Sequence, residues 1–279
     1  MKPETVCTVV FSPTGTSRKI AEAVARGIAS GAGAEALKTI DLTHAAAQSA
    51  VLPAGAVAVI AAPVYGGHVA PTAAKRLETL RGSGTPAVVI AVYGNRAFEK
   101  AAAELAALAA RQGFVPVAAA AFVGEHSYST PETPVAAGRP DAQDLARAAE
   151  FGAAVRKKLA AGTPAPVDAA KLKDVRTPLV PMLRFIRFVA DYRRRQKRNP
   201  AVYLPACDAD RCTHCGRCTA VCPTQAIARG DEVHTDPARC IRCCACVKGC
   251  PVGARSFHTP FAAALARSFT RRKPPVTLL

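Results

Sequence analysis

No stretch of this 279-residue chain approaches the ~20 consecutive apolar residues that cross a bilayer. A membrane-spanning helix is excluded on that count. No secretory leader is expected either. Met1 to Glu4 runs directly into a strand-like segment, without the basic-then-apolar layout of a signal peptide. A cytoplasmic protein is the expectation. Acidic residues are few, 20 against 37 Lys and Arg, giving a formal net charge of +17. Such a surface attracts acidic proteins, anionic lipid or nucleic acid. Tryptophan is absent, and the chain has no zinc finger, RNA-binding signature or basic strand interleaved with aromatics. No nucleic-acid partner is expected. Nor can a Ser-His-Asp or paired-carboxylate arrangement be argued, so no catalytic residue is assigned.

Cysteine is nearly absent outside one segment. Ten of eleven fall between Cys207 and Cys250, and the other is Cys7. This segment is an internal repeat with a 28-residue offset. Asp208-x-x-Arg211-Cys212 aligns with Asp236-x-x-Arg239-Cys240, and the match runs through Cys222-Pro223 and Cys250-Pro251 to Ala226 and Ala254. The pattern is Cys212-x2-Cys215-x2-Cys218-x3-Cys222-Pro223, then Cys240-x2-Cys243-x2-Cys246-x3-Cys250-Pro251. Two-residue gaps let one turn of chain wrap three corners of a cubane, while the fourth cysteine lies too far along to close the same cube. A zinc ribbon uses two CxxC pairs separated by a long loop and has no need of a third close cysteine and a Cys-Pro, twice over.

The repeat resembles the bacterial ferredoxin motif, in which the fourth cysteine ligates the other cluster. That resemblance implies two [4Fe–4S] clusters. Cys212, Cys215, Cys218 and Cys250 would hold one; Cys240, Cys243, Cys246 and Cys222 would hold the other. Cys207 and Cys244 fall outside the pattern and read as packing residues near the clusters, and Cys7 as a core residue of the first strand. Arg211, His214, Arg217, Arg239, Arg242 and Lys248 surround the ligands, and positive charge there favours the reduced cluster.

Residues 1–161 read as alternating strand and helix: strands at Val6–Phe11, Glu35–Leu42, Ala56–Ala62, Ala87–Val92 and Phe114–Val123, with helices at Thr16–Ser30, Pro71–Arg81, Glu99–Gln112 and Asp141–Ala161. Near-continuous apolar strands separated by helices imply an α/β fold, a parallel sheet covered on both faces. Ser12, Thr14, Gly15, Thr16 and Ser17 follow the first strand and open a helix, an arrangement suited to a phosphate dianion. A Walker lysine and a GxGxxG are both missing, which argues against nucleotide triphosphate and NAD sites. The loop resembles the FMN phosphate loop of flavodoxins. Pro63, Val64, Tyr65, Gly66 and Gly67, and then Tyr93, Gly94, Asn95 and Arg96, fall where that fold places flavin contacts. Either tyrosine is a candidate to stack on the flavin ring.

Taken whole, the chain resembles prokaryotic fusions of a flavodoxin-like doubly wound parallel sheet with a small α+β 2[4Fe–4S] ferredoxin-like domain. The resemblance covers about 1–160 and 203–258. It implies an electron-transfer protein passing electrons between FMN and the clusters and on to a redox partner. The alternative is a flavin-dependent reductase with a substrate pocket near His126 and Tyr128. The expected divisions are 1–161 for the flavodoxin-like domain, 162–202 for a Pro-rich linker and basic helix, 203–258 for the ferredoxin-like domain, and 259–279 for a basic tail. Pro164, Pro166, Pro178 and Pro181 mark the linker. In its helix, Leu183, Ile186, Val189 and Ala190 are expected to form the packed face. An acidic redox protein is the expected partner. Peripheral membrane contact through the basic helix or tail is the other reading of that charge.

Overall fold

The computed structural model describes residues 4–30, 36–44, 50–162 and 165–279. Met1 to Pro3, Glu35 and Pro164, named above, lie outside them. In chain order the elements are β1 (Thr5–Val10), α1 (Thr16–Ala29), β2 (Ala36–Asp41), β3 (Ala50–Leu52), β4 (Ala56–Tyr65), β5 (His68–Val69), α2 (Pro71–Leu77) and β6 (Leu80–Gly82). There follow β7 (Thr85–Tyr93), α3 (Ala101–Arg111), β8 (Phe114–Val123), α4 (Ala142–Ala160), α5 (Leu179–Arg198), β9 (Ala206–Cys207) and α6 (Arg217–Ala220). The chain ends with α7 (Ala245–Lys248), β10 (Arg255–Ser256), α8 (Pro260–Ser268) and β11 (Val276–Leu278). Among the described residues no helix is long and apolar enough to cross a membrane.

The chain divides into two compact units. One comprises Met1–Glu125, Gly138–Val175 and Lys273–Leu279; the other comprises His126–Ala137 and Arg176–Arg272. This partition differs from the divisions drawn on the sequence. The segment expected as linker and basic helix is divided between the units after Val175, and the segment expected as basic tail is divided after Arg272.

In the first unit five parallel strands run in the order β2-β1-β4-β7-β8, the flavodoxin-like order. β11 adds antiparallel to β8 at the edge, pairing Val276 with Ala121. The central strands are buried along nearly their whole length, as helices on both faces require. α1 and α4 lie over one face, packed with Val6, Val10, Val57, Val59, Val88 and Ile90. Their close approach depends on Gly27 and Gly152: a Cβ on Gly27 would run into the carbonyl oxygen of Ala149, and one on Gly152 into that of Val24. α4 starts with a reciprocal capping box between Asp141 and Asp144. The expected Pro71–Arg81 helix stops early, at Leu77. Thr79 Oγ1 donates to the Arg76 carbonyl at 2.8 Å, and Leu80–Gly82 turns into β6 and pairs with β3.

In the second unit, α5 packs on α8 through aromatics. The Phe185 ring lies 4.9 Å from Phe269, and Tyr192 lies 4.8 Å from Phe261. The packed face is therefore Met182, Phe185, Phe188, Val189 and Tyr192. Of the face expected from sequence only Val189 belongs to it. Leu183 and Ile186 are each 54% exposed, and Ala190 is exposed as well. Aromatic side chains bury more surface than aliphatic ones, and they set the rotation of this helix.

Candidate functional site

The cysteine repeat folds as two copies of one backbone. Left-handed residues occur at His214, Gly216 and Gln225 in the first half and at Arg242, Cys244 and Gly253 in the second, each pair 28 residues apart as in the sequence repeat. Gly216 and Cys244 precede the four-residue helices α6 and α7, which carry Cys218 and Cys246. A left-handed turn before each helix folds the Cys-x2-Cys-x2-Cys segment back on itself.

Two cysteine-lined cavities result. One is lined by Cys212, Cys215, Cys218 and Cys250, joined by Cys207. The other is lined by Cys222, Cys240, Cys243 and Cys246, joined by Cys244. The fourth cysteine of each repeat thus sits with the triad of the other. Each crossing cysteine accepts a backbone N–H: Ala226 N donates to Cys222 Sγ and Ala254 N to Cys250 Sγ, both at 3.2 Å. Amide hydrogen bonds to sulfur stabilise negative charge at a cluster.

Burial pushes Cys243 up to about 12 and Cys246 up to about 11. Uncompensated thiolates are disfavoured there, and a metal that takes them as ligands reverses that preference. Burial also acts on Cys250, but the backbone N–H groups of residues 252 to 255 outweigh it and hold this thiol below the usual range. Cys207 and Cys244 line cavities, in keeping with their expected place near the clusters. Each belongs to a different half of the repeat: Cys207 aligns with Thr235 and Cys244 with Gly216.

In the first unit the three loops after β1, β4 and β7 leave adjacent parallel strands, at the switch point where β2 lies on the other side of β1. The loop after β1 is braced from within. Gly15 N donates to the Ser12 carbonyl at 3.1 Å, and Arg18 N donates to Ser12 Oγ at 3.0 Å. Ser12 N donates to Thr43 Oγ1 at 2.9 Å, Thr43 N to Asp41 Oδ1 at 2.9 Å, and Arg18 pairs with Asp41. Ser12 is therefore a brace rather than a presented hydroxyl. Arg18, Asp41 and Thr43, which hold the loop, carry no motif and were not legible in the sequence. Gly15 is left-handed at φ 82°, with nothing within 4 Å of an added Cβ. Ser17 Oγ is buried without a partner among the described residues, at a helix start where the first N–H groups have no intrahelical acceptor. An open turn, an unsatisfied hydroxyl and helix N–H groups fit a phosphate.

Pro63, Val64 and Tyr65 continue β4, and Gly66 and Gly67, both at positive φ, form its hairpin to β5. Glu104 fastens that hairpin by accepting from Val69 N at 3.1 Å. Tyr65 is half-buried and remains a ring-stacking candidate. Tyr93 is not one: it is 2% exposed, with its ring 5.6 Å from Phe98. Only its backbone is left to contribute. Asn95 is buried in a left-handed conformation, and the Arg96 side chain pairs with Glu99. His126 and Tyr128, expected near a flavin, fall in the second unit. Their ring centroids lie 4.8 Å apart, and Tyr128 stands 4.9 Å from Phe257. Burial, helped by the thiol of Cys244, pushes the Tyr128 hydroxyl up to about 12.

Residues 204–257 match the family described as "4Fe-4S dicluster domain", and the C-terminal part of the chain is a [4Fe–4S] ferredoxin-type domain with two cluster sites. No curated protein matches the chain. Among solved structures, a flavodoxin from the domain Archaea is 15% identical, covering 56% of this chain and 99% of its own, with a TM-score of 0.34. A flavodoxin of Streptococcus pneumoniae is 17% identical over 55% of this chain and 97% of its own, at 0.33. Rubredoxin:oxygen oxidoreductase of Desulfovibrio gigas is 14% identical over 57% of this chain and 37% of its own, at 0.36. The strand order, rather than these likenesses, defines the first unit as flavodoxin-like. A redox role follows from the cluster domain.

Proposed function

We propose that the protein is an electron carrier in which FMN held by the first unit and two [4Fe–4S] clusters held by the second serve one electron route to a redox partner. The observation that carries this reading is the pair of cysteine-lined cavities, each completed by a cysteine from the other repeat. In it, Cys212, Cys215, Cys218 and Cys250 ligate one cluster, and Cys240, Cys243, Cys246 and Cys222 the other. When bound, the flavin exchanges one or two electrons and each cubane one, so the hard chemistry is the cofactors'. The protein's part is to hold them. Thr14, Thr16 and Ser17 would take the flavin phosphate, with Gly15 allowing its close approach. The hairpin at Gly66 and Gly67 and the backbone of 93–96 would border the ring. An acidic redox protein is the partner that the charge of +17 complements. The reductase reading has less support, since His126 packs on Tyr128 and Tyr128 in turn on Phe257.

A fluorescence titration tests the flavin half of this reading. FMN should bind one per chain with its emission quenched, and riboflavin, lacking the phosphate, at least about tenfold more weakly, as loss of a charge-assisted contact implies. Equal affinity for both, or no saturable binding, contradicts it.

A further inference from the structure

One buried charge in the second unit has no surface role. Arg255 is 4% exposed and lines the cavity of Cys212, Cys215, Cys218 and Cys250. One end of its guanidinium donates to the Glu232 carbonyl oxygen at 2.6 Å, and the other donates to Thr235 Oγ1. Thr235 itself lines the second cavity. The guanidinium therefore lines one cavity and is bonded to a wall residue of the other. Its Nε is buried and has no partner among the described residues, and no carboxylate among them pairs with it. The nearby Glu232 carboxylate is directed instead to Gly230 N at 2.9 Å and His214 Nδ1 at 3.1 Å.

The repeat supplies an internal comparison. The position 28 residues before Arg255 is Ile227, 2% exposed, lining the other cavity. The fold needs only an apolar residue there. A buried cation without a counter-ion is costly, and an anionic group in the cavity offsets that cost. A cluster carrying four thiolates is such a group, and each added electron makes it more negative.

We infer that Arg255 is a positioning residue for charge: a fixed buried cation, lining one cluster cavity and bonded to a wall residue of the other, that raises the reduction potentials of both clusters. The inference rests on the cluster reading above. The other basic neighbours, Arg211, Arg217, Arg239, Arg242 and Lys248, are exposed. Water and salt screen them far more than a charge in a low-dielectric interior. Arg255 thus dominates, although its position in the repeat carries no motif.

The test is a redox titration of the reconstituted full chain, followed by EPR, on the parent, Arg255→Gln and Arg255→Lys. Iron and sulfide are measured first. The Gln variant should titrate with both midpoint potentials shifted downward, while the Lys variant stays near the parent. The downward shift should persist at high salt, because the charge is buried. A Gln variant with two intact clusters and the parent's potentials overturns the role of Arg255 and leaves the cluster reading standing. Loss of both clusters in the Gln and Lys variants alike assigns the residue to bracing the loop and also overturns it. A parent chain without two cubanes defeats the cluster reading and this inference together.

Discussion

Glycines 27, 152 and 216 do different work, and the difference can be measured. Gly27 and Gly152 sit where α1 and α4 cross, each facing a backbone carbonyl of the other helix. An Ala at either must pry the helices apart, and overpacking of that kind costs about 1–3 kcal/mol or more. Gly216 is left-handed, with nothing within 4 Å of an added Cβ. Its replacement by Ala carries only the backbone penalty, about 1–2 kcal/mol. Gly27→Ala should therefore lower the melting temperature more than Gly216→Ala in calorimetry of the full chain. Asp41 gives a pH prediction at the same scale. Burial alone would raise its carboxyl, but hydrogen bonds from Thr43 and the charge of Arg18 outweigh that and hold it below the usual carboxylate range. A depressed folded-state value means the contribution is present above the unfolded value and is lost as pH falls through the folded one. Asp41→Asn should remove part of the acid sensitivity below about pH 4 in a melting series and leave the slope at pH 6–8 unchanged.

At the scale of elements, what was legible in the sequence had a period or a fixed spacing. The parallel strands announce themselves as apolar runs, and the cysteine repeat as a 28-residue offset. The early end of α2 did not, because its cause is a short parallel pairing between β3 and β6, distant in sequence. The packed face of α5 was misjudged for a related reason. Leu183, Ile186 and Ala190 have the right spacing, but Phe185, Phe188 and Tyr192 have it too, and their partners Phe261 and Phe269 lie about seventy to eighty-five residues on. β11 was read as tail. Its strand completes the sheet edge, and the Lys273 carbonyl just before it accepts from Arg139 at 3.1 Å. Arg139 and Asp144 form a buried pair, 6% and 2% exposed. Removing residues 273–279 unpairs a strand and takes an acceptor from a buried guanidinium, so about 2 kcal/mol or more of stability should be lost. Urea titration of the truncated chain checks this; an unchanged midpoint contradicts it. The crossing cysteines make a second prediction for elements. Cys222→Ser should disturb the cluster of Cys240, Cys243 and Cys246, and Cys250→Ser that of Cys212, Cys215 and Cys218. EPR of each variant against the parent decides which signal is altered, and loss of the signal from its own half contradicts the crossed arrangement.

For the whole molecule, a flavodoxin-like fold and a cluster domain share one chain with a formal charge of +17. Charge of one sign steers an oppositely charged partner and fades with salt over a Debye length of about 8 Å at physiological ionic strength. Electron transfer with an acidic carrier protein should accordingly slow steeply as salt rises, and a salt-independent rate would remove the acidic partner from the account. The central claim, however, is cofactor content. It is tested most directly by anaerobic determination of iron, sulfide and flavin per chain, with EPR after dithionite reduction. Two cubanes and one flavin require about eight iron, eight sulfide and one FMN, with the reduced clusters visible by EPR. Zinc in place of iron, persisting after anaerobic reconstitution, would contradict the account at its root.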